Sequence, residues 1–237
     1  MVKGTEVHEV SHKYALGLIL ALGGGYLDAY TYIARGGVFA NAQTGNIVLL
    51  GLSLASMEWI RAVCYILPII AFMAGIIICE VVKRNVAKGI VHWKQYIVLL
   101  EMITIAVVTF MPKGKVGGIN CDMIANIMIS FVCSLQVQSF RKIRGIVCAT
   151  TMCTGNLRSA TESLTLFMSS KEKKHLHNAG KFFGIVLFFV LGAVISSFLT
   201  NMFSEKSAIF VLLVLGIAFA VMFFKATPHK DGATDAQ

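Results

Sequence analysis

The sequence predicts an all-α integral membrane protein of about six transmembrane helices. Of its 237 residues, 57% are hydrophobic and 14% are charged, and the mean hydropathy is +0.75. A soluble domain is about 45–50% apolar and about 25% charged. The apolar residues also gather in runs close to the roughly 20 residues that a helix needs to cross a bilayer. Residues 1–237 are therefore expected to form a single membrane domain.

Six apolar runs follow one another, and each is predicted to form one membrane-crossing helix. They occupy residues 14–34, 62–82, 96–111, 121–140, 181–203 and 207–224. The first run follows a polar segment without a signal-peptide pattern and is too long for a signal core, so it is interpreted as a first span. A polar tail, residues 226–237, follows the last run.

Two stretches between these runs, residues 36–56 and 145–168, are less apolar and share the triplet Thr-Gly-Asn. The triplet lies at residues 44–46 and again 110 residues later, at 154–156. Small and polar residues at membrane depth indicate irregular backbone, which survives there only when it is buried in protein or lines water. Both stretches are predicted to be re-entrant or interfacial segments. The alternative is a bundle of seven or eight spans.

The distribution of basic residues favours six spans. The chain carries 21 Lys and Arg against 12 Asp and Glu, and cytoplasmic loops are enriched in Lys and Arg. With six spans and a cytoplasmic N-terminus, all but five of the 21 lie on the cytoplasmic side. Eight spans divide them almost evenly and leave Arg158 in the membrane. Both termini are therefore predicted to be cytoplasmic. Basic residues confined to such loops do not indicate nucleic-acid binding.

The duplicated triplet belongs to a longer internal repeat. In each half it precedes a run with a Phe-x-x-Gly motif, which ends at Gly75 in the first half and at Gly192 in the second. Residues 14–112 are assigned to repeat one and residues 119–225 to repeat two. Three spans per repeat reverse the second repeat relative to the first. Inverted repeats with broken helices near the midplane are typical of transporters and channels.

Two runs of the sequence are distinctive. Residues 24–55 read GGYLDAYTYIARGGVFANAQTGNIVLLGLSLA, and residues 150–156 read TT-x-x-TGN. Both resemble the YoaK-type family of bacterial inner-membrane proteins, and the resemblance extends over nearly the whole chain. It implies a multi-pass protein of the bacterial cytoplasmic membrane. The function of that family is unknown, so the resemblance implies no activity, substrate or catalytic residue.

Asp28 lies within the first span, where an ionisable side chain is costly unless it faces protein or water. It is therefore a candidate for a solute or proton role. The structural alternative is that Asp28 pairs with Arg35 or caps the backbone of the turn at Gly36 and Gly37. The equivalent residue of the second repeat, Gln138, is neutral.

The first triplet forms part of a polar cluster between apolar runs. A helix that starts near Asn46 would direct its free N–H groups and positive dipole end at a polar or anionic solute. Alternatively, the triplets only satisfy their own broken helices and pack the two repeats together. The residues predicted to line a path are Asp28, Tyr30, Asn41, Gln43, Thr44, Gly45, Asn46, Gln138, Thr154, Gly155 and Asn156.

Other notable residues are given structural interpretations. Glu80 and Glu101 are predicted to form ion pairs with nearby basic residues at the membrane surface. Arg158 and Glu162 are predicted to pair with each other one helical turn apart. The run of three glycines at residues 23–25 is predicted to be a close-packing seam between helices.

Together these features predict a small-solute transporter or channel that resides in the lipid bilayer. The alternative is a membrane scaffold or partner-binding protein, in which the polar breaks only hold the repeats together. An enzyme is not expected, because the six histidines lie in tails or loops and the sequence contains no catalytic triad, metal triad or nucleotide motif. Accordingly, no cofactor or metal is expected.

Overall fold

The computed structural model describes residues 2–85, 93–140, 142–143, 146–147 and 150–222. The polar tail predicted at residues 226–237 lies outside the described residues, as do residues 223–225 at the end of repeat two. The helices are α1 (Val2–Ala34), α2 (Gln43–Ala55), α3 (Trp59–Asn85), α4 (Trp93–Thr109), α5 (Cys121–Ser139), α6 (Cys153–Ser170), α7 (Lys173–Phe203) and α8 (Ala208–Val221). The predicted all-α membrane fold is confirmed.

Short elements fill the connections between some helices. A 3-10 turn, Ser204–Ser207, joins α7 to α8. Strand β1 (Lys115–Val116) pairs with β2 (Ile119–Asn120) in an antiparallel hairpin between α4 and α5. A second antiparallel hairpin, β3 (Lys142–Ile143) with β4 (Ile146–Val147), follows α5. These hairpins are only two residues per strand and leave the fold helical.

Helices α1, α3, α4, α5, α7 and α8 coincide with the six predicted apolar runs. Within the described residues, four stretches are long and apolar enough to cross a membrane: Tyr14–Ala34, Trp59–Arg84, Cys121–Ser139 and Lys173–Val221. The last has 49 residues and contains both α7 and α8, whereas one crossing needs about 20. Helix α4 is shorter, with 17 residues.

The outward surface of the bundle is apolar. Exposed large side chains follow α3 and α7 along most of their length: Ile66, Ile70, Met73, Ile77, Leu187, Val190, Val194 and Phe198. A soluble monomer rarely exposes a continuous apolar surface of this extent. The main core, between α1, α4, α5 and α8, is also apolar. Helices that are apolar on both their inward and their outward faces are typical of a bundle surrounded by lipid.

Helices α1 and α7 pack along each other in the same direction. In the first half of each helix, Tyr14 Oη of α1 donates to the carbonyl oxygen of Lys181 of α7 at 3.0 Å. Beyond their ends, Tyr30 Oη donates to the carbonyl oxygen of Glu205 at 2.9 Å. The first helix of one half therefore pairs with the third helix of the other half.

Helices α3 and α5 form a corresponding pair, which also runs in one direction. Near their starts, the Asn120 amide donates to Sγ of Cys64 at 3.9 Å. Near their ends, Sγ of Cys79 and Oγ of Ser139 are 3.3 Å apart. Again the third helix of one half, α3, pairs with the first helix of the other.

The two pairs run in opposite directions. The end of α1 meets the start of α5, where Arg35 binds Asp122 at 3.2 Å. Because α3 also starts there, the segment from residue 35 to 58 returns to the side of the bundle that α1 reached. The segment between α5 and α7 returns in the same way on the opposite side. The segments that contain the short helices α2 and α6 therefore each begin and end on one side of the bundle.

Further helix pairs correspond between the halves. Helix α2 packs on α3 as α6 packs on α7, and α1 packs on α8 as α5 packs on α4. Helices α4 and α8, the last of each half, pack on each other.

Glycines lie where the paired helices cross. A Cβ on Gly25 of α1 would overlap the backbone of α7, and a Cβ on Gly192 of α7 would overlap the backbone of α1. In the other pair, a Cβ on Gly75 of α3 would overlap Ser134 of α5. Such close approach requires glycine. The predicted seam in α1 is confirmed, and both Phe-x-x-Gly motifs mark crossings.

Candidate functional site

Asp28 lies six residues before the end of α1 and binds the backbone just before α2. Its side chain is only 4% exposed. Oδ1 accepts hydrogen bonds from the backbone N–H groups of Asn41, at 2.5 Å, and Ala42, at 3.4 Å. The chain after α1 thus folds back along that helix as far as Asp28 before α2 begins at Gln43. A carboxylate there satisfies free N–H groups and interacts favourably with the helix dipole.

Arg35 is engaged elsewhere, at the end of α1. Its fully buried guanidinium pairs with Asp122 and donates to Tyr30 Oη and to three carbonyl oxygens at the end of α4. The sequence-based alternative that Asp28 pairs with Arg35 is therefore wrong. Asp28 does cap backbone, but at the start of α2 and not at the Gly36–Gly37 turn.

Tyr30 belongs to this same cluster. Its Oη accepts from Nε of Arg35 at 2.9 Å and donates to the carbonyl oxygen of Glu205. We call Tyr30, Arg35 and Asp122 the arginine anchor. Tyr30 was predicted to line a path with Asp28, but its hydroxyl ties α1 to the α7–α8 turn.

Asn46 holds the fold-back before α2 in shape. Its Oδ1 accepts from the Phe39 N–H at 2.9 Å, while its Nδ2 donates to the Phe39 carbonyl oxygen at 2.8 Å and to Oε1 of Gln43 at 2.9 Å. Asn46 is buried, whereas Thr44 is exposed and Gly45 is partly exposed. Within the first triplet, the asparagine alone is buried in the interior.

Replacing Asn46 with alanine is expected to lower the free energy of unfolding by about 2–4 kcal/mol, because three hydrogen bonds are lost at about 0.5–1.5 kcal/mol each. Thermal unfolding of the purified protein in detergent would measure the loss. The matched control is Thr44→Ala, two residues away on an exposed position, with an expected change within about 0.5 kcal/mol. Similar losses for both variants would contradict the role given to Asn46.

The second triplet repeats this pattern of burial. Asn156 is buried, while Thr154 and Gly155 are exposed. Neither Ala42 before α2 nor Met152 before α6 caps its helix with a side-chain hydrogen bond. Gln138, the repeat equivalent of Asp28, binds elsewhere: its Nε2 donates to Oε1 of Glu80 at 2.5 Å. The two triplets therefore share a pattern of burial, whereas Asp28 and Gln138 bind different partners.

The segments that precede α2 and α6 meet at one point on α1. Nδ2 of Asn41, before α2, donates to the carbonyl oxygen of Gly24 at 3.4 Å. A Cβ on Gly24 would overlap the side chain of Thr151, which precedes α6. The N-terminal ends of the two short helices, one from each half, therefore converge in the middle of the bundle.

Glu101 lies inside the bundle, and its predicted ion pair at the membrane surface is wrong. The side chain is fully buried, and neither carboxyl oxygen has a hydrogen-bond partner in the described part of the chain. Glu101 shares a face of α4 with the buried Val98 and Ile105, and this helical spacing is the signal that identifies it. Glu80, in contrast, pairs as predicted with basic residues of its own helix.

Cys133 of α5 joins these groups in the centre. It is fully buried, contacts Asn41 and lies close enough to Asp28 and Glu101 to interact electrostatically with both. We call Asp28, Asn41, Glu101 and Cys133 the polar centre. Oδ2 of Asp28 has no hydrogen-bond partner among the described residues. Buried carboxyl groups without partners are costly, so packing alone does not account for this arrangement.

More unpaired polar atoms extend from the polar centre along α5 and into the segment before α6. Within the described ranges, the side chains of these residues keep at least one buried atom without a hydrogen bond: Asn126, Ser130, Gln136 and Thr150. Each such atom costs about 1–3 kcal/mol, and a group of them in a native protein indicates water, an ion or a solute. Asn126, Ser130 and Cys133 share one face of α5, and their spacing of four and three residues is visible in the sequence.

Comparisons with known proteins bear on the whole chain. A family model described as "Protein of unknown function (DUF1275)" matches residues 16–222. The chain is 23% identical over 188 residues to the UPF0700 transmembrane protein YoaK of Bacillus subtilis (strain 168), which covers 78% of this chain and 83% of that protein. No solved structure shows a significant match.

Proposed function

Because the chain belongs to the DUF1275 family, whose function is unknown, we propose a function from the polar centre: the protein carries or conducts a small polar solute across the bilayer. The observation that carries this proposal is that two carboxyl groups, those of Asp28 and Glu101, are buried in the bundle and keep oxygens without a hydrogen-bond partner among the described residues. Ionisable groups inside membrane bundles are costly and mark solute or ion pathways.

The proposal includes two inverted repeats, residues 14–112 and 119–225, with six crossings formed by α1, α3, α4, α5, α7 and α8. The opposite directions of α1 and α5 and the matching helix pairs support it. In such folds one part of the bundle rocks against the other around a fixed midplane site. The protein is placed in the bacterial cytoplasmic membrane with both termini inside, which the loop charges support.

The chemistry of the polar centre narrows the class of solute. Oδ1 of Asp28 already binds the backbone N–H groups of Asn41 and Ala42, just before α2, and a carboxyl group at that helix end disfavours an anion. The acidic groups that remain available to bind a solute are Oδ2 of Asp28 and both carboxyl oxygens of Glu101. A cation or a neutral hydrogen-bond donor, and not an anion, fits these groups.

Replacing Glu101 with glutamine is expected to lower the solute flux by about tenfold or more, while the melting temperature stays unchanged. The native carboxyl has no hydrogen-bond partner among the described residues, so an amide of similar size breaks no such bond and removes the charge and proton chemistry of the acid. The measurement is stopped-flow swelling of proteoliposomes in glycerol, urea or methylammonium, beside thermal unfolding of the same samples. Glu58→Gln, at an exposed acid, is the matched control.

Two results would contradict transport. One is wild-type protein that adds no flux over protein-free vesicles for any of the three probes. The other is wild-type flux in both Glu101→Gln and Asp28→Asn while they remain folded. Asp28→Asn retains an oxygen that can accept from the N–H groups of Asn41 and Ala42. This variant therefore tests the role of Asp28 in solute binding separately from its hydrogen bonds to the backbone. Either result would leave the scaffold hypothesis, in which the polar centre serves only assembly.

A further inference from the structure

The two oxygens of the Asp28 carboxyl group have different surroundings. Oδ1 accepts from the backbone N–H groups of Asn41 and Ala42, whereas Oδ2 has no hydrogen-bond partner among the described residues. The N–H groups and the positive dipole end of α2 favour a carboxylate at this point. The surroundings of Oδ1 therefore suit a negative charge, while the second oxygen of the same group is left without a donor.

The Asn41 side chain brings a second unpaired oxygen to the same place. Its Nδ2 donates to the carbonyl oxygen of Gly24 at 3.4 Å, and Gly24 lies about one helical turn before Asp28 on α1. The side chain therefore lies over the turn of α1 that carries Asp28. Because only the amide nitrogen can donate to a carbonyl oxygen, the remaining atom is Oδ1. Asn41 is only 8% exposed, and its Oδ1 has no hydrogen bond within the part of the chain that the structure describes.

The charge of an Asp28 carboxylate is not balanced by a neighbouring side chain. Among the residues with described side chains, no Lys, Arg or His forms an ion pair with Asp28. Arg35 is bound by Asp122. Arg158 pairs with Glu162 at 2.9 Å, as predicted, on the exposed face of α6. An unpaired carboxylate inside a membrane bundle is costly, and a cation at Oδ2 would balance its charge.

We propose that Asp28 and Asn41 bind one small monovalent cation, such as Na⁺, through Oδ2 and Oδ1, with water or the solute completing its shell. Carboxylate and amide oxygens are ligands for hard cations. A single carboxylate balances a single positive charge, and the described residues contain no group of three or more His, Cys, Asp or Glu that could hold a metal ion. Irregular backbone beside half-helices at the midplane of transporters is where Na⁺ binds.

The second half of the protein lacks the charged ligand. A shift of 110 residues places Gln138 at the position of Asp28 and Thr151 at the position of Asn41. Thr151, like Asn41, meets α1 at Gly24. The two equivalent segments therefore reach the same place on α1, but only the first half supplies a carboxylate there. One cation per chain is the expected stoichiometry.

The cation site deepens the proposed function, and its part in transport rests on that function. Asp28 and Asn41 hold the ion, and Glu101 remains to bind the solute. A cation and a solute that bind in one centre change each other's affinity, which couples their movements across the bilayer. Binding of the cation itself requires no flux, so the ion site can be tested separately from transport.

The test is equilibrium binding of radiolabelled Na⁺ to the purified full chain in detergent, at an ionic strength held constant with choline chloride. The wild type is expected to bind one ion per chain, displaced by unlabelled Na⁺ and not by choline. Asp28→Asn and Asn41→Ala are each expected to lower the affinity by at least about tenfold, because loss of even an outer-shell partner of a metal has that effect. Glu58→Gln, at an exposed acid, is the matched control and should bind like the wild type.

Asn41→Ala keeps the Asp28 carboxyl and its backbone hydrogen bonds, so it decides the question if Asp28→Asn does not fold. Wild-type protein without saturable Na⁺ binding would overturn the ion site, and so would wild-type affinity in the folded variants. A melting temperature that depends on pH and not on Na⁺ would indicate a proton between the two oxygens and overturn it too. Na⁺ binding without solute flux would support the ion site and contradict transport, whereas flux without Na⁺ binding would overturn the ion site alone.

Discussion

Replacing Arg35 with alanine is expected to lower the free energy of unfolding by about 3–5 kcal/mol. The buried guanidinium makes five hydrogen bonds, to Asp122, to Tyr30 and to three carbonyl oxygens. Its loss leaves buried carbonyl oxygens without a donor, while Asp122 loses its ion pair and keeps the hydrogen bond from the Gly114 N–H. Lysine is not expected to rescue the variant, because one ammonium group cannot reproduce the forked geometry of five donors.

Thermal unfolding in detergent would measure this effect, with Arg61→Ala as the control. Arg61 forms an exposed ion pair with Glu58 at 3.5 Å, and such pairs contribute about 0–1 kcal/mol. The comparison holds residue type constant and changes only burial and the number of partners. If the two variants lost similar stability, the arginine anchor would not hold α1, α4 and α5 together as described.

Replacing Gly192 with alanine is expected to cost about 3 kcal/mol or more, at the upper end of the range for overpacked cores. The added Cβ would overlap the carbonyl oxygen of Leu22 and lie 3.0 Å from the backbone nitrogen of Tyr26. Both neighbours are backbone atoms of α1, so no side chain can rotate away. The two helices would have to separate along their longest contact.

The same helix provides the control for this substitution. An added Cβ on Gly180 of α7 meets nothing within 4 Å. Gly180→Ala is therefore expected to stabilise the protein by about 0.5–1 kcal/mol, because alanine loses less backbone entropy in a helix. Opposite signs for the two alanines, measured by thermal unfolding, are the expected outcome. Equal effects would show that the α1–α7 crossing tolerates a side chain.

The sequence predicts the long apolar helices well because their signal extends over about 20 residues. Hydropathy and loop charge act at that scale, and six apolar runs became six helices. The signal at a short broken helix is local. Helix α2 was expected to start near Asn46 but starts at Gln43. The backbone just before it binds Asp28, a residue that no pattern around the triplet contains.

The candidate site is predicted less completely, for a reason that is also physical. Sequence position indicates how far along a helix a residue lies, but the partner helix decides which face is buried. Asp28 and Asn41 come together as expected, whereas Tyr30 and Gln138 bind partners elsewhere. Glu101 was missed because a lone acid near basic residues is typical of a membrane surface, and only its apolar neighbours one turn away indicate burial.

The pairing of α1 with α7 and of α3 with α5 has a consequence for synthesis of the protein. Each of these pairs takes one helix from each half, so neither half can complete its own contacts. Gly25 emerges from the ribosome long before Phe189, the residue that it packs against; at about 5–20 residues per second, the delay is roughly 10–30 s. Throughout that interval the glycine face of α1 lacks its partner, so the first helix must remain available in the membrane until nearly the last one arrives.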